Sequence, residues 1–431
     1  MTGDLYPLGS CYPRRRNRMS VWPTCCMATV TALAFQPVCW AGEGPFFITY
    51  THQMEEPGNL EFATKSVMGN PDGGNRFVGT VAEFEYGVRG WWASEWYLDG
   101  QSTRAESTLF TGYRWENRFR LLLHEHWINP VLYVEFENIN GADKSLLEIV
   151  NHDGKDDLTA PNADARFEKK REIEAKLILG SYYKGWTIAE NFIAEKNIKH
   201  APFEFGYAVG VSRPLALAAR PERCNFCAEN VQVGVEVYGG LGTHARFGMG
   251  DTSHYVAPTV AWTLANGTTF KVSPGFGVTS NSTGYLLRVR GFLRGRSSRS
   301  CSPNSRSGRS LMNALRLGCF LAALGTAGGS GGTLVQVAPA SAAARRNPLE
   351  SDEQALRAGA KLYTRECGAC HGVSREGRKY APPLNDAEVR GAAPGTLFWI
   401  LRNGSLRRGM PSFAHLPEAQ RWQIITFLKR K

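Results

Sequence analysis

The chain is long, basic and moderately hydrophobic. It has 431 residues, of which 43% are hydrophobic and 11% aromatic, and it carries a formal net charge of +11. This length and composition allow two or three domains with cores of their own, which excludes a single small domain as the whole protein. The segments of the chain differ sharply in character.

Residues 1–41 have the pattern of an export signal. Four arginines between positions 14 and 18 precede a mostly apolar stretch from Val21 to Phe35, and Ala41 ends a small-residue cleavage pattern. A membrane anchor is the alternative interpretation, but the apolar run is short for crossing a bilayer. We therefore expect a signal peptide that is removed on export.

Residues 42–293 alternate between apolar and polar side chains with period two, the pattern of β-strands. In one segment the apolar face holds Val78, Thr80, Ala82, Phe84, Tyr86 and Val88, and the opposite face holds Glu83 and Glu85. In another segment Ile173, Ala175, Leu177 and Leu179 alternate with Glu172, Glu174 and Lys176. About a dozen such strands are expected, most of them long by the standard of soluble sheets.

Long alternating strands with one apolar and one charged face resemble those of outer-membrane β-barrel proteins, in which lipid lies outside and polar side chains fill the lumen. Hydrocarbon cannot satisfy an open sheet edge, so such a sheet must close. The segment from Tyr285 to Phe292 is similar to the aromatic-ended last strand of that family, which normally ends there. A soluble β-sandwich is the alternative. We expect an all-β, membrane-barrel-like domain in the outer membrane.

Two local motifs in this region suggest chemistry. His124-Glu125-His126 places both histidines on one face of a predicted strand, where they are either a metal-binding pair or, as we favour, polar lumen residues. Cys224 and Cys227 lie between two predicted strands without a following histidine. Outside the cytoplasm such a pair is expected to form a small loop disulfide, with a redox centre as the alternative.

Residues 294–349 are predicted to be a linker. The stretch 294–310 is rich in Ser, Gly and Arg and too polar to hold a core. A nucleic-acid-binding tail is disfavoured because the neighbouring segments are exported, so no nucleic-acid partner is expected. From Met312 onward the sequence resembles a second signal peptide, with an apolar run and small residues before Arg345. Either a flexible tether joins two domains of one protein, or two neighbouring genes have been joined by readthrough or a frameshift.

The sequence Cys367-Gly368-Ala369-Cys370-His371 has the spacing of a c-type haem attachment site. Two thiols three positions apart can each form a thioether with the porphyrin, and the adjacent imidazole can bind the iron. A zinc site would need a second ligand pair nearby, but no cysteine follows Cys370 and the only later histidine is His415. The pattern predicts one haem c per chain.

Residues 350–431 resemble a class I cytochrome c, a small all-α domain. Ser351 is expected to cap a first helix, on which Gly359 and Tyr363 match the family's Gly and aromatic pair that packs against the C-terminal helix. Pro417 is the expected first residue of that closing helix, whose apolar set is Trp422, Ile425, Phe427 and Leu428.

The resemblance also implies roles for two further residues. Pro382, in Ala381-Pro382-Pro383-Leu384, matches the proline whose carbonyl accepts the N–H of the proximal histidine, here His371. Met410, in Arg408-Gly409-Met410-Pro411, matches the distal methionine ligand, whose soft thioether raises the reduction potential. A core-filling role for Met410 is the alternative, and His415 is the rival ligand.

These patterns together predict a multidomain protein with an electron-transfer function. With both axial positions filled by protein, we expect one-electron transfer in the periplasm rather than catalysis. The alternatives are a porin or transport barrel with an accessory or artefactually fused cytochrome, and an electron-accepting subunit for a dehydrogenase. Residues 345–431 carry 16 Lys and Arg against 8 Asp and Glu, which favours acidic redox partner proteins, or is merely a soluble basic surface. The expected location is the periplasm and outer membrane of a Gram-negative bacterium.

Overall fold

The computed structural model describes most of the chain beyond its N-terminal segment. The described residues are 44–145, 158–199, 202–224, 226–264, 268–296, 338–378 and 381–430. The predicted signal peptide at 1–41, most of the predicted linker and most of the second signal-like segment lie outside them.

Thirteen antiparallel strands form one sheet that closes on itself. The strands are β1 Asn59–Gly69, β2 Phe77–Arg89, β3 Trp92–Thr103, β4 Thr108–Arg120, β5 Asn129–Asn140, β6 Lys169–Tyr183, β7 Trp186–Asn197, β8 Glu204–Pro214, β9 Val231–Thr243, β10 Arg246–Phe247, β11 His254–Thr263, β12 Thr269–Gly277 and β13 Tyr285–Arg296. Pairing runs from β9 through β11, β12, β13 and β1 to β8, and β8 pairs again with β9. Because β10 is only a two-residue strand attached to β9, the barrel has 12 strands. The predicted closed barrel is confirmed.

The two faces of the barrel have opposite chemistry, as the alternation predicted. On β2, Glu83 and Glu85 are buried in the lumen, whereas Tyr86 on the other face is exposed. Exposed apolar side chains recur on the outer face of the strands, including Leu60, Trp96, Leu98, Trp115, Leu132, Ile173, Phe192, Val233, Val260 and Phe270. An apolar exterior around a closed sheet is the surface that a lipid bilayer requires.

The segment before β1, residues 44–57, lies inside the lumen, and we call it the plug. Its backbone N–H groups at Phe47, Ile48 and Thr49 each donate to the Glu236 carboxylate over 3.0 Å. The side-chain amide of Asn191 accepts from Tyr50 N over 2.7 Å and donates to Tyr50 O over 2.9 Å. Side chains of the barrel wall thus supply the partners that a neighbouring strand would otherwise give to the plug.

Strand direction separates the turns of the barrel into two groups. Asn59, where β1 begins, pairs with Arg296, where β13 ends, so both lie at the same end of the barrel, which we call the terminal end. Since successive strands are antiparallel, every second connection returns to that end: residues 90–91, 121–128, 184–185, 215–230 and 264–268. Whatever follows β13 in the chain therefore starts from the terminal end.

The C-terminal part of the chain is helical. Its helices, numbered after the short helix α1 Asn162–Ala165 of the β5–β6 connection, are α2 Ala340–Ala343, α3 Glu353–Glu366, α4 Gly368–His371, α5 Ala387–Gly391, α6 Pro394–Asn403 and α7 Glu418–Lys429. Across the parts of the chain that the structure describes, no helix is both long and apolar enough to span a membrane.

Helices α3 and α7 cross with their backbones in close contact, as the resemblance to class I cytochromes c implied. A Cβ placed on Gly359 would lie 1.9 Å from the carbonyl oxygen of Gln423, so only glycine fits at this crossing. The ring of Tyr363 packs 5.2 Å from that of Phe427. Trp422 is 2% exposed, at the centre of the core of this domain.

Two predicted helix boundaries are wrong by one residue. The N-cap of α3 is Asp352 and not Ser351, because the Asp352 carboxylate accepts from the N–H groups of Gln354 and Ala355. Pro417 is the residue before α7 rather than its first residue, since its extended backbone precedes Glu418.

β13 ends after the predicted boundary at 293, and the helical domain begins before the predicted boundary at 350. β13 continues to Arg296. Residues 338–349 belong to the helical domain: the Arg345 guanidinium lies 4.2 Å above the Phe398 ring and pairs with Glu418, and Asn347 donates to Thr426 over 2.9 Å.

The contacts of the plug predict the effect of removing Glu236. Glu236→Ala leaves the N–H groups of three consecutive residues without their acceptor, at about 1–3 kcal/mol for each buried unpaired group. We expect amide hydrogen exchange at residues 47–49 to accelerate at least tenfold in the full-length protein in detergent. Glu172→Ala is the control, because Glu172 accepts from Asn197 and not from the plug. Unchanged protection in Glu236→Ala would show that the plug does not depend on this carboxylate.

Candidate haem site

The two cysteines and the histidine of the attachment motif lie at the junction of α3 and α4. Cys367 directly follows α3 and is 6% exposed, and Cys370 is half-buried; neither forms a disulfide. Burial, followed by the neighbouring Glu366 carboxylate and the Cys370 side chain, raises the pKa of Cys367 well above its ordinary value. His371 follows in the same turn, so all three side chains belong to one short, well-ordered segment.

A tight loop after α4 returns Pro382 to His371. Gly372 and Gly377 have φ values of 77° and 80°, which favour glycine, and Gly377 donates to the His371 carbonyl over 2.8 Å. The Pro382 carbonyl oxygen then lies 2.8 Å from Nδ1 of His371. Because a carbonyl can only accept, this contact assigns the proton to Nδ1 and leaves the lone pair on Nε2.

Met410 lies in a second short loop between α6 and α7. Ser405 and Met410 exchange two backbone hydrogen bonds, of 2.8 and 3.1 Å, around the 3₁₀ turn Leu406–Arg408. The Met410 side chain is half-buried and packs against the hydrophobic core that also contains Cys367. The half-buried His415 has its ring 6.0 Å from that of Phe413 and lines a cavity of about 80 Å³ between this domain and the barrel.

These residues fit a haem held through two cysteines. Neither thiol belongs to a disulfide, so both are available to form thioethers, and the tautomer of His371 directs its basic nitrogen away from Pro382. Hydrogen bonding of Nδ1–H to a carbonyl also makes Nε2 a stronger metal donor. The donor set therefore agrees with the chemistry of a haem ligand.

Residues 354–428 match the family described as "Cytochrome C oxidase, cbb3-type, subunit III". The C-terminal helical region contains a cytochrome c domain. The match covers this part of the chain only, and such a domain implies haem binding and electron transfer. No curated protein is similar in sequence to the chain.

Solved structures similar to the barrel region are outer-membrane proteins of low sequence identity. An outer-membrane channel from Pseudomonas putida F1 has 9% identity and a TM-score of 0.38, with 57% of this chain and 98% of that one covered. The KdgM porin has 7% identity and a TM-score of 0.32, with 54% and 97% covered. LpxR from Salmonella typhimurium has 10% identity and a TM-score of 0.28, with 54% and 99% covered. The barrel assignment depends on the strand pairing itself and not on these likenesses.

A closed barrel with a lipid-facing exterior, joined to a cytochrome c domain, belongs in the outer membrane and periplasm of a Gram-negative bacterium.

The cytochrome c domain contacts the terminal end of the barrel through polar side chains. Lys361 Nζ lies 3.0 Å from the Glu229 carboxylate, and Arg365 donates to Asn230 over 2.8 Å. The Gln423 side chain accepts from Ala219 N over 3.0 Å and donates to Ala219 O over 2.9 Å. All of these barrel residues belong to the β8–β9 connection, residues 215–230.

This same connection contains Cys224 and Cys227, which form the predicted disulfide. The bond closes a small loop within the longest described connection of the terminal end. Its position beside Glu229 and Asn230 means that it stiffens the part of the barrel that holds the cytochrome c domain.

The placement of His124-Glu125-His126 on a strand face is wrong. β4 ends at Arg120 and β5 begins at Asn129, so the motif lies in a terminal-end connection, where the Asn129 side chain binds both backbone groups of His126. The ring of His124 packs 5.8 Å from that of Trp399 in the cytochrome c domain. Its neighbour Glu125 also turns toward that domain, so the motif is a docking loop.

Glu125 is the main residue of this interface that sequence reasoning missed. Its carboxylate lies 3.1 Å from His52 Nε2 of the plug and 3.9 Å from Arg120, and Ser412 lies beside it. Burial disfavours the charged form of the Glu125 carboxyl and by itself would raise its pKa. The charge and hydrogen bond of His52, together with Arg120 and Ser412, outweigh the effect of burial and lower the pKa of Glu125 to about 2. In the sequence, the acidic character of Glu125 was the only sign of this role, because the partners of Glu125 are distant along the chain.

The low pKa of Glu125 predicts that the folded protein loses stability as the pH falls. The ionised form is stabilised only in the folded protein, so its contribution is complete above the ordinary value of 4.5 and is lost as the pH falls toward about 2. This contribution is on the order of 3 kcal/mol. We expect the free energy of unfolding of the full-length protein in detergent to fall over this range.

Glu125→Gln should flatten that pH dependence. Glu353→Gln is the matched control, because Glu353 and its partner Arg430, 2.9 Å away, are both exposed, and it should keep the wild-type profile. Identical profiles for wild type and Glu125→Gln would contradict the ion-pair account.

Proposed function

We propose that this chain is a membrane-anchored cytochrome that carries one haem c and transfers single electrons on the periplasmic side of the outer membrane. Cys367 and Cys370 would hold the porphyrin, with His371 as proximal and Met410 as distal ligand. A haem supplies reversible one-electron chemistry at its iron. With both axial positions taken by side chains, the domain carries electrons and does not turn over a substrate.

The contact between Pro382 and His371 is the observation that best supports this proposal. A 2.8 Å bond from Nδ1 to a carbonyl has the geometry of an oriented metal ligand, and it adjoins two cysteines at haem-attachment spacing that form no disulfide. The chemistry of the site and its local geometry therefore favour the same assignment.

The position of the domain supports a periplasmic location for the electron transfer. The cytochrome c domain contacts the terminal end of the barrel, where β1 begins and β13 ends. Outer-membrane barrels have an even number of strands and keep short turns on the periplasmic side, and two of the turns here, residues 90–91 and 184–185, are two residues long. We assign the terminal end to the periplasm.

An acidic redox protein is the partner that the charge of the domain favours. Arg407 and Arg408 are exposed on the loop that leads to Met410, and Arg378 is exposed on the loop that carries Pro382. Positive charge on both loops would steer an acidic protein toward the haem region. The encounter should therefore weaken as the ionic strength rises.

The plug opposes the alternative of an open porin. Residues 44–57 lie in the lumen and bind Glu236 and Asn191 on the wall, and they leave cavities of only about 20 and 80 Å³ beside them. A porin needs a continuous water-filled path. The barrel is better suited to anchor the cytochrome c domain at the membrane.

Covalent attachment is tested by replacing the cysteines. In cells with a cytochrome c maturation system, haem staining of denaturing gels should show a band of nearly full length in the outer-membrane fraction. Cys367→Ser with Cys370→Ser should abolish the band, since no thioether can form. Cys224→Ser with Cys227→Ser is the matched control and should keep it. A small periplasmic band from residues 345–431 would mean that barrel and cytochrome are separate proteins, and no band at all would refute the haem assignment.

The distal ligand is tested by a pair of variants. Met410→Ala should keep the covalent haem but lower the reduction potential, because the thioether stabilises ferrous iron. His415→Ala is the control for the rival ligand and should leave the potential unchanged. The assignment is wrong if His415→Ala shifts the potential and Met410→Ala does not.

A further inference from the structure

The loop that carries Met410 is closed within the cytochrome c domain. Ser405 and Met410 bind each other through two backbone hydrogen bonds. Gly404 has a φ of 64°, and a Cβ at this position would lie 2.4 Å from the Pro411 carbonyl, so only glycine fits. The 3₁₀ turn Leu406–Arg408 forms the tip. We call residues 403–412 the methionine loop.

The terminal end of the barrel touches the methionine loop at its beginning, its tip and its end. Asn403 Oδ1 accepts from Glu125 N over 3.1 Å, and Ser412, whose hydroxyl donates to Arg402 O over 2.7 Å, lies beside the Glu125 carboxylate. At the tip, Leu406 packs against Gly90 of the β2–β3 turn, where a Cβ would lie 2.5 Å from the Leu406 carbonyl oxygen and 2.8 Å from its Cβ. Asn403 and Leu406 are buried, at 5% and 8% exposed.

The barrel side of these contacts is itself fixed. Glu125 binds His52 of the plug over 3.1 Å and lies near Arg120, the last residue of β4. Gly90 lies in a two-residue turn between two long strands. The methionine loop therefore rests on a two-residue turn and on a connection that is itself tied to the plug and to the end of β4.

A weak ligand benefits most from such a support. A neutral thioether binds iron loosely, so the entropy lost when its loop becomes ordered is a large part of its binding free energy. A surface that orders the loop beforehand removes that cost. Because methionine ligation raises the reduction potential, the support would act on the potential as well.

We infer that the terminal-end turns of the barrel position Met410, with Gly90 and Glu125 as positioning residues, so that the barrel raises the reduction potential of the haem. This inference rests on the proposed function, in which Met410 is the distal ligand. It gives the barrel a part in tuning the redox centre in addition to anchoring it.

The test uses full-length, haem-loaded protein in detergent. Gly90→Ala introduces a methyl group that must push on the Leu406 backbone. Glu125→Ala removes the carboxylate that pairs with His52 and so releases the segment whose backbone N–H donates to Asn403. Gly284→Ala is the matched control, because Gly284 lies in a turn at the opposite end and a Cβ there meets nothing within 4 Å. Heat-modified gel mobility verifies that each barrel is folded.

Three readouts are expected to change together in Gly90→Ala and Glu125→Ala. The oxidation equilibrium should shift about tenfold toward the ferric form, which is about 59 mV for a one-electron couple. The absorption band of methionine-ligated ferric haem should weaken, and amide exchange at Ser405 and Met410 should accelerate at least tenfold. Gly284→Ala should match the wild type in all three.

Two results would overturn the inference in distinguishable ways. If Met410→Ala lowers the potential while Gly90→Ala and Glu125→Ala leave the potential, the band and the exchange rates unchanged, the ligand is right and the positioning role is wrong. If Met410→Ala itself has the potential and the spectrum of the wild type, the ligand assignment fails and the positioning role fails with it.

Discussion

The closure of the barrel is the constraint from which the rest of the structure follows. Hydrocarbon offers no hydrogen bonds, so every strand edge must be paired, and the last edges meet when β13 pairs with β1. That pairing fixes the beginning of the first strand and the end of the last at one end of the barrel. The plug before β1 and the cytochrome c domain after β13 therefore reach the same mouth, where Glu125 contacts both.

The lumen is stabilised by paired charges beside apolar clusters that include Phe47 and Met54 of the plug. Arg118 lies within 2.5, 3.3 and 2.8 Å of Glu85, Glu95 and Glu116, and Arg114 bridges Asp99 and Glu135. Removing one partner would leave an uncompensated buried charge, which is strongly destabilising. Inward-facing charge thus selects one strand register, because a shift by one residue would turn these groups toward lipid.

Local sequence patterns predicted the structural features that depend on residues close together in the chain. The alternation of Glu83 and Glu85 with apolar neighbours predicted which face of β2 is luminal. The resemblance to class I cytochromes c, through Gly359 and Tyr363, implied the α3–α7 crossing. The plug was not predictable, because Phe47 and its acceptor Glu236 are 189 positions apart. The strand interpretation of His124-Glu125-His126 failed for the same reason: its partners Trp399 and Asn403 are visible only after the chain has folded.

The disulfide between Cys224 and Cys227 has a consequence for biogenesis. The chain contains two cysteine pairs of identical spacing, of which one forms a disulfide whereas Cys367 and Cys370 do not. If haem is attached in the same oxidising compartment, the cell must keep Cys367 and Cys370 reduced, or reduce them again, without opening the disulfide between Cys224 and Cys227. Cys227 is 3% exposed, so once its loop has folded an attacking thiol has little access to it. The order of events, with the loop oxidised and folded before haem is attached, would then let the cell treat the two pairs differently.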